Sequence, residues 1–262
     1  MHRLIRILTG LLLITCQFSL HAETRSVSSL GRIEPLDGII RVAGPSSASA
    51  SGSVIKSIDV SEGDWVEKDQ IIAYLDSHDL RVAEVSRLEA IYTNAKSTLN
   101  RQQNLSLTSA TSKVQLDQAV MSLDIAKADL AAAKARLDLA VVRAPLRAQV
   151  LDIHASPGER VGPEGVMELG QTDHMYVVAE VYETDISLVK KGQSTTITIG
   201  AVEGALSGTV ERISLKVGRL DVLGTDPVDK TDARVVEVYI LLDDSTAVSA
   251  YTNMQVEVEI HI

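Results

Sequence analysis

Two stretches of the sequence repeat one another and decide the fold: Ser53-Val-Ile-Lys-Ser-Ile-Asp-Val-Ser-Glu-Gly-Asp-Trp-Val66 and Ala148-Gln-Val-Leu-Asp-Ile-His-Ala-Ser-Pro-Gly-Glu-Arg-Val161. In this register the copies share identical residues at Ile58 and Ile153, Ser61 and Ser156, Gly63 and Gly158, and Val66 and Val161. Each copy alternates apolar residues around a glycine, which is typical of short strands joined by a tight turn. Gly63 and Gly158 are therefore predicted as structural turns. Since neither copy can bury a core alone, the two halves together predict a small β-sandwich.

The segment between the copies, residues 77–141, predicts an antiparallel pair of helices. Residues 112–141 have apolar residues at both seam positions of a coiled coil. The leucine row and the alanine row are Leu116, Leu123, Leu130, Leu137 and Ala119, Ala126, Ala133, Ala140. Residues 78–105 have a weaker pattern of the same kind, and Ser106–Ser112 is turn-like. Helices of about 28 residues give a hairpin on the order of 40 Å long, which either projects from the β-domain or packs against it.

The sequence from Met175 onward predicts a small β-barrel with a polar outer face, because short segments rich in β-branched residues alternate apolar and acidic side chains. The predicted strands are Met175–Tyr182, Thr195–Ile199, Gly208–Ile213, Val235–Leu241 and Gln255–Ile260. Glu183–Lys191 is predicted as a short helical turn that ends before Gly192.

Composition argues against a nucleic-acid binder. The 262 residues include 25 basic and 35 acidic side chains, for a formal charge of −10, whereas phosphate binding needs a basic face. Aromatic residues make up only 3% of the chain, and large compact cores usually depend on aromatic burial, so several thin modules are expected.

The N-terminus is predicted to be an export signal, because two arginines precede an apolar stretch from Leu8 to Leu20 and the small residue Ala22 follows. A retained membrane anchor is the alternative, and both interpretations place residues from 23 onward outside the cytoplasm. Cys16 is the only cysteine. The segment Leu13–Cys16 faintly resembles a lipoprotein processing site. Cys16 is therefore either a site of lipidation or an apolar filler residue inside the signal.

No local pattern predicts an enzyme, a resident metal or a cofactor. The six histidines include no pair at metal-ligand spacing. The acidic run lacks the spacing and the central glycine of an EF-hand loop, so a solvated loop is predicted; its members are Asp221, Asp226, Asp229 and Asp232. The sequence also lacks a phosphate-binding Gly-Lys-Ser/Thr loop, so ATP hydrolysis would reside in another chain.

The predicted tip of the hairpin carries the pattern Arg101-x-x-x-Leu105-x-x-x-x-x-x-Ser112. Arg101 offers a planar fork of donors, Leu105 an apolar knob and Ser112 a short hydroxyl. This pattern resembles the tip signature of periplasmic adaptors that dock onto TolC-like outer-membrane channels. A local interpretation is also open, because Ser112 with Gln115 makes a capping box, Leu105 could close the seam and Arg101 could be an ordinary solvated charge.

The chain from residue 30 onward resembles the HlyD-type membrane fusion proteins, and most closely the DevB-type adaptors of ABC exporters. The resemblance is carried by Leu30–Pro35, Glu62–Lys68, Val142–Pro145, Leu169–Asp173, Met175–Asp185, Asp221–Pro227, Asp232–Val238 and Asn253–Val258. It implies a non-enzymatic periplasmic adaptor that is associated with the inner membrane. It further implies a hexameric funnel between an inner-membrane ABC transporter, with its permease and ATPase, and a TolC-like outer-membrane channel.

Two alternatives stay open. The first, of the same class, is an adaptor of a proton-driven efflux pump. The second is a biotinyl or lipoyl carrier, because carrier domains share the two-half pattern and present a modified lysine on the hairpin between the halves. Here the helical segment occupies that connection, while Lys56 and Lys68 lie inside the first half.

The predicted fold class is mixed α and β, with a split lipoyl-like β-sandwich, an inserted antiparallel coiled-coil hairpin, a small β-barrel and terminal membrane-proximal strands. The predicted boundaries are 1–22 for the signal or anchor, 23–47 for a strand joining the barrel and membrane-proximal region, 48–76 and 142–171 for the lipoyl-like halves, 77–141 for the hairpin, 172–215 and 232–262 for the barrel and membrane-proximal region, and 216–231 for an acidic loop.

Overall fold

The computed structural model describes residues 25–44, 53–107, 111–200, 204–220 and 234–262. The predicted signal with Cys16, and the predicted acidic loop from Asp221 onward, lie outside these ranges. In chain order the elements are β1 (Ser26–Pro35), β2 (Ile40–Val42), β3 (Ile55–Ile58), β4 (Trp65–Val66), β5 (Ile71–Leu75), α1 (His78–Leu107), α2 (Lys113–Asp138), β6 (Val141–Arg143), β7 (Ala148–Ile153), β8 (Met167–Gly170), β9 (Met175–Tyr182), a short 3-10 helix (Ile186–Leu188), β10 (Ser194–Thr198), β11 (Ala205–Arg219), β12 (Arg234–Leu242) and β13 (Gln255–His261).

Strands β2 to β8 form the predicted sandwich, with one sheet in the order β2-β8-β7-β4 and the other in the order β3-β5-β6. Its core is built from aliphatic side chains, among them Ile55, Val66, Ile72, Val150 and Leu169. Strand β2 pairs with β8, so residues 40–42 belong to the sandwich and not to the barrel region predicted for 23–47. The turn after Pro35 carries the chain from one module to the other.

The two halves of the repeat are interleaved, because each sheet contains strands of both copies. Strand β4 of the first half pairs with β7 of the second, and β6 of the second pairs with β5 of the first. Matching hydrogen bonds relate the halves: the Gly63 amide donates to the Val150 carbonyl at 2.8 Å, and the Gly158 amide donates to the Ile55 carbonyl at 2.8 Å. The sandwich therefore has a pseudo-twofold axis that the sequence repeat reflects residue by residue.

Helices α1 and α2 form the predicted antiparallel hairpin, and its seam is the one that the heptads predict. Ala119, Ala126 and Ala133 are buried, and the leucine row of α2 is half-buried beside them. On α1 the buried residues are Leu88 and Leu99. Both seam rows thus point at the partner helix, as knobs-into-holes packing requires.

The C-terminal strands and β1 close into a six-stranded barrel in the order β1-β13-β10-β11-β12-β9. Its core includes Ile33, Val177, Ile240 and Ile260, all fully buried. Strand β11 runs to Arg219, so residues 216–219 are strand and not part of the predicted acidic loop; their pairing with β12 continues the ladder beyond a bulge. The predicted barrel is confirmed, and β1 is the strand that closes it between β13 and β9.

Candidate docking site at the hairpin tip

The end of α1 presents Arg101 and Leu105 four residues apart, so both side chains lie on the same side of the helix. Arg101 is exposed, and its guanidinium donates to Thr98 Oγ1 at 2.9 Å. Leu105 is 42% exposed. A cation with free donor directions thus lies beside an apolar side chain in the last two turns of α1.

Ser112 begins α2 as its N-cap. Its Oγ accepts a hydrogen bond from the Gln115 amide at 3.3 Å, and its own amide donates to Gln115 Oε1 at 3.4 Å. Thr111 Oγ1 lies 2.7 Å from Gln102 Oε1 and 3.0 Å from Gln115 Oε1, which links the two helices across the turn. The capping box satisfies backbone donors that the helix start would otherwise leave open, so Ser112 orders the tip locally.

The distal half of the hairpin is cationic although the chain is acidic. Between Glu89 and Asp117 the sequence contains Lys96, Arg101 and Lys113 and no acidic residue. The three cations are far apart in the sequence and form no short motif. They share one end of the molecule only because the two helices form a hairpin.

Two further apolar side chains flank the turn. Leu107 at the end of α1 is 84% exposed, and Val114 at the start of α2 is 72% exposed. Together with Leu105 they give the cationic tip an apolar component. Leu107 lies outside both heptad rows, so seam periodicity alone does not identify it.

A shallow groove of about 470 Å³ runs between the helices below the tip. Its polar lining consists of amides and hydroxyls, namely Asn94, Thr98, Gln102, Gln115, Gln118 and Ser122. Such a surface offers uncharged hydrogen-bond donors and acceptors, which suit recognition of a protein surface.

The root of the hairpin is joined directly to the sandwich. The Leu75 amide donates to the Ala140 carbonyl at 3.0 Å, at the end of the β5–β6 ladder. Helix α1 begins just after this pair and α2 ends just before it. Beside it, Lys56 Nζ lies 2.6 Å from Asp79 Oδ2. The hydrogen bond from Lys56, with a second one from His78, lowers the pKa of the Asp79 carboxyl below its ordinary value.

The two predicted glycine turns lie in the sandwich. Gly63 and Gly158 have φ angles of +89° and +90°, which side chains with a Cβ rarely adopt. In the carrier alternative a lysine would occupy the connection between the halves, but that connection is the helical hairpin. Lys56 is in β3 and is paired with Asp79.

An ion cluster lies on the outer face of the barrel, where β1, β9 and β12 are neighbours. The Arg32 guanidinium contacts Glu34 at 2.6 Å, Glu180 at 3.0 Å and Glu237 at 2.8 Å. Glu180 is almost completely buried, with 1% of its side chain exposed. Burial disfavours the Arg32 cation, but the surrounding carboxylates outweigh it and raise the pKa of Arg32 above its ordinary value.

Two further properties of the described residues concern metal binding and membrane crossing. Among the described residues, no group of three or more His, Cys, Asp or Glu side chains is placed to hold a metal ion. Neither helix within the described ranges combines the length and the apolar content that a membrane crossing needs.

Comparison with known proteins gives both a domain match and fold matches. Residues 47–167 match the family model of the CzcB-like barrel-sandwich hybrid domain. No curated protein matches the sequence. Among solved structures, the chain is similar to a MacA–MexA chimeric protein that contains the Pseudomonas aeruginosa MexA α-hairpin domain, with 20% identity, a TM-score of 0.72, and coverage of 91% of this chain and 82% of that chain.

Two further structures have the same fold. MacA from Actinobacillus actinomycetemcomitans is 21% identical, with a TM-score of 0.56 and coverage of 91% of this chain and 79% of that chain. The membrane fusion protein Spr0693 from Streptococcus pneumoniae R6 is 18% identical, with a TM-score of 0.56 and coverage of 90% of this chain and 98% of that chain.

Proposed function

We propose that the chain is a membrane fusion protein and that it acts as the periplasmic adaptor of an ABC-type tripartite exporter. The match of residues 47–167 to the CzcB-like barrel-sandwich hybrid domain and the fold shared with solved membrane fusion proteins support this proposal. It bridges an inner-membrane permease and ATPase to a TolC-like outer-membrane channel, and it acts as a ring of copies, six by family resemblance. Its contribution is geometric, because holding two membrane proteins at a fixed separation raises their effective concentration for one another.

The observation that carries this proposal is the hairpin. It extends from the sandwich as a two-helix rod, and its distal half has three cations, no acidic residue and exposed apolar side chains. In a protein with a net charge of −10, such a tip is suited to an acidic, amide-rich protein rim. Arg101, Leu105 and Ser112 are the residues that we assign to the contact with the channel.

The ABC type of transporter is supported by the resemblance of Leu30–Pro35 and Asp221–Pro227 to DevB-type adaptors. The first of these segments forms half of β1, and it supplies Arg32 and Glu34 to the ion cluster of the barrel. Affinity purification of the full-length chain from membranes should recover a permease and an ATPase. Recovery of a proton-driven transporter instead would assign the chain to the alternative pump class.

The docking residues are tested by reversing the charge at the tip. The variant Arg101→Asp should lose channel-dependent export by at least tenfold, because it replaces a donor fork by a carboxylate that an acidic rim repels. Arg87→Asp is the matched control, since Arg87 is an exposed arginine of the same helix near its root. Export should be unchanged in this control.

Circular dichroism of both variants checks that the hairpin still forms. Normal export by a folded Arg101→Asp protein would contradict the assignment of Arg101 to the channel contact. Equal loss in both variants would show that the effect is not specific to the tip.

A further inference from the structure

The imidazole of His154 lies between two carboxylates on the outer face of the sandwich. Its Nδ1 is 3.6 Å from Asp152 Oδ2, and its Nε2 is 3.6 Å from Glu168 Oε1. Only 18% of the His154 side chain is exposed, and within the described part of the chain its buried Nε2 has no hydrogen-bond partner. Both separations exceed the roughly 2.7–3.2 Å of an N–H···O hydrogen bond. The ring is therefore enclosed by two acceptors without being bonded to either.

The two carboxylates belong to a row of charged side chains that crosses three strands. Arg41 of β2 lies opposite Glu168 of β8, and Glu168 lies opposite Asp152 of β7. Arg41 Nε donates at 3.0 Å to Glu168 Oε1, which is the same oxygen that faces His154 Nε2. A carboxylate oxygen has lone pairs for two donors, so it can accept from both side chains. Among the described residues, no third carboxylate lies within 4.0 Å of the ring nitrogens.

These surroundings suit a protonated imidazole better than a neutral one. A neutral imidazole has one donor and one acceptor nitrogen, a protonated imidazole has two donors, and an ionised carboxylate only accepts. Neutral His154 can therefore donate to Asp152 or to Glu168, while its other nitrogen directs a lone pair at the second carboxylate. Protonated His154 can donate to both. Together with Arg41, the row then holds two cations and two anions in alternation.

Partial burial of the ring opposes its charge, because burial disfavours any cation. Two charge-assisted hydrogen bonds act in the opposite direction, and each is about twice as strong as a bond between neutral groups. Each carboxylate has to approach the ring by only about 0.7 Å to reach hydrogen-bond distance. Side-chain rotation of Asp152 and Glu168 supplies such a movement without a change in the backbone.

We propose that His154 is a proton-dependent clamp, which on protonation ties β7 to β8 and, through Glu168, to Arg41 of β2. Imidazole side chains gain a proton between about pH 8 and pH 5, so the clamp would close in mildly acidic surroundings. Strand β2 has three residues and is the edge strand of its sheet, with β8 as its neighbour. It follows the turn that leads from the barrel into the sandwich. Proton uptake would therefore strengthen the sandwich where the barrel joins it.

Stability as a function of pH tests the clamp. A histidine that gains partners in the folded state contributes stability that is present at low pH and is lost as the pH rises. Urea denaturation compares the wild type with His154→Gln at about pH 7.5 and about pH 5.5. The folding equilibrium constant of the wild type, relative to that of the variant, should be about fivefold larger at the lower pH. An equal ratio at both pH values, or a smaller one at low pH, would overturn the proposal.

His174→Gln is the matched control. His174 also has an aspartate nearby, with Nδ1 3.4 Å from Asp173 Oδ1, but 66% of its side chain is exposed. Because solvent screens such a pair, this variant should change the same ratio by less than about twofold. A second comparison uses Glu168→Gln, in which His154→Gln should alter the pH dependence much less than it does in the wild type. An undiminished effect in that background would contradict the role of Glu168.

Hydrogen exchange of the full-length chain shows where the proton acts. The Val166 amide donates to the Val42 carbonyl at 2.7 Å and so links β8 to β2. Its protection, corrected for the intrinsic pH dependence of exchange, should rise about fivefold from about pH 7.5 to about pH 5.5 in the wild type and stay constant in His154→Gln. The Val210 amide, which donates to the Gln193 carbonyl in the barrel at 2.9 Å, should not respond. A gain in stability without added protection at Val166 would contradict the tie to β2.

Discussion

Arg32 connects three strands of the barrel through three carboxylates, and its most buried partner is Glu180. The variant Arg32→Met keeps the apolar stem but removes the ion pair that Glu180 makes at 1% exposure. We expect the free energy of unfolding to fall by about 2–3 kcal/mol, somewhat less than for a fully buried pair because Arg32 is partly exposed. Urea denaturation measures the change.

The control is Arg41→Met, whose ion pair with Glu168 at 3.0 Å leaves the arginine 71% exposed. This variant should lose less than about 1 kcal/mol. Equal losses in the two variants would show that the barrel cluster contributes no more than a surface pair.

The pH dependence of the same variant follows from Glu237. Burial opposes ionisation of this carboxyl, but hydrogen bonds from Arg32 and Tyr239 outweigh it and hold the pKa of Glu237 below its ordinary value of 4.5. A carboxylate with a lowered folded pKa contributes stability that is fully present above its unfolded pKa and is lost as the pH falls through the folded one. The difference in stability between wild type and Arg32→Met should therefore be largest near neutral pH and should shrink as the pH falls, with the part that Glu237 contributes lost below about pH 5.

Ser112 is a residue whose local role can be separated from its role in docking. Ser112→Ala removes the N-cap acceptor and should lower the stability of the hairpin by about 1 kcal/mol, whereas Ser112→Asn should keep it, because asparagine caps as well as serine. Thermal unfolding followed by circular dichroism compares the three proteins. Identical melting would show that the capping box contributes nothing. Loss of export in both variants, including the normally stable Ser112→Asn, would assign the hydroxyl to the channel.

At the scale of elements, the alanine row of α2 sets how closely the helices approach. Ala133 is fully buried in the seam. Ala133→Leu should destabilise the hairpin by about 1–3 kcal/mol, because added methylenes overpack a close contact. Ala132→Leu, one residue away on the exposed side of α2, should change the free energy of unfolding by less than about 0.5 kcal/mol. A similar loss in both variants would contradict the assignment of Ala133 to the seam.

The elements were the part of the fold that the sequence could predict best. Heptad leucines and alanines identify the hairpin because burial in a two-helix seam depends on spacing alone. The repeat around Gly63 and Gly158 predicts two similar halves, because similar sequences with a turn glycine at the same position form similar local structure. The interleaving of β4 with β7 could not be predicted, because pairing between distant strands depends on tertiary packing that a local pattern does not encode.

At the scale of the molecule, the allocation of strands to modules was the least predictable feature. Strand β2 follows β1 closely but belongs to the sandwich, and β11 continues past the predicted boundary at 215. Alternation gives the face of a strand and not its sheet. Likewise Glu180 alternates as an outward residue of β9, and only the position of Arg32 on the neighbouring β1 explains its burial.

Because the β5–β6 ladder joins the two helices directly, the hairpin moves together with the sandwich as one rigid extension. No flexible linker intervenes between Leu75 and His78, or between Asp138 and Val141. For a rod of about 45 Å, a tilt of the sandwich by only 5° or so would move the tip by about 4 Å. Small rotations of the sandwich would therefore be delivered, enlarged, at the tip of the hairpin.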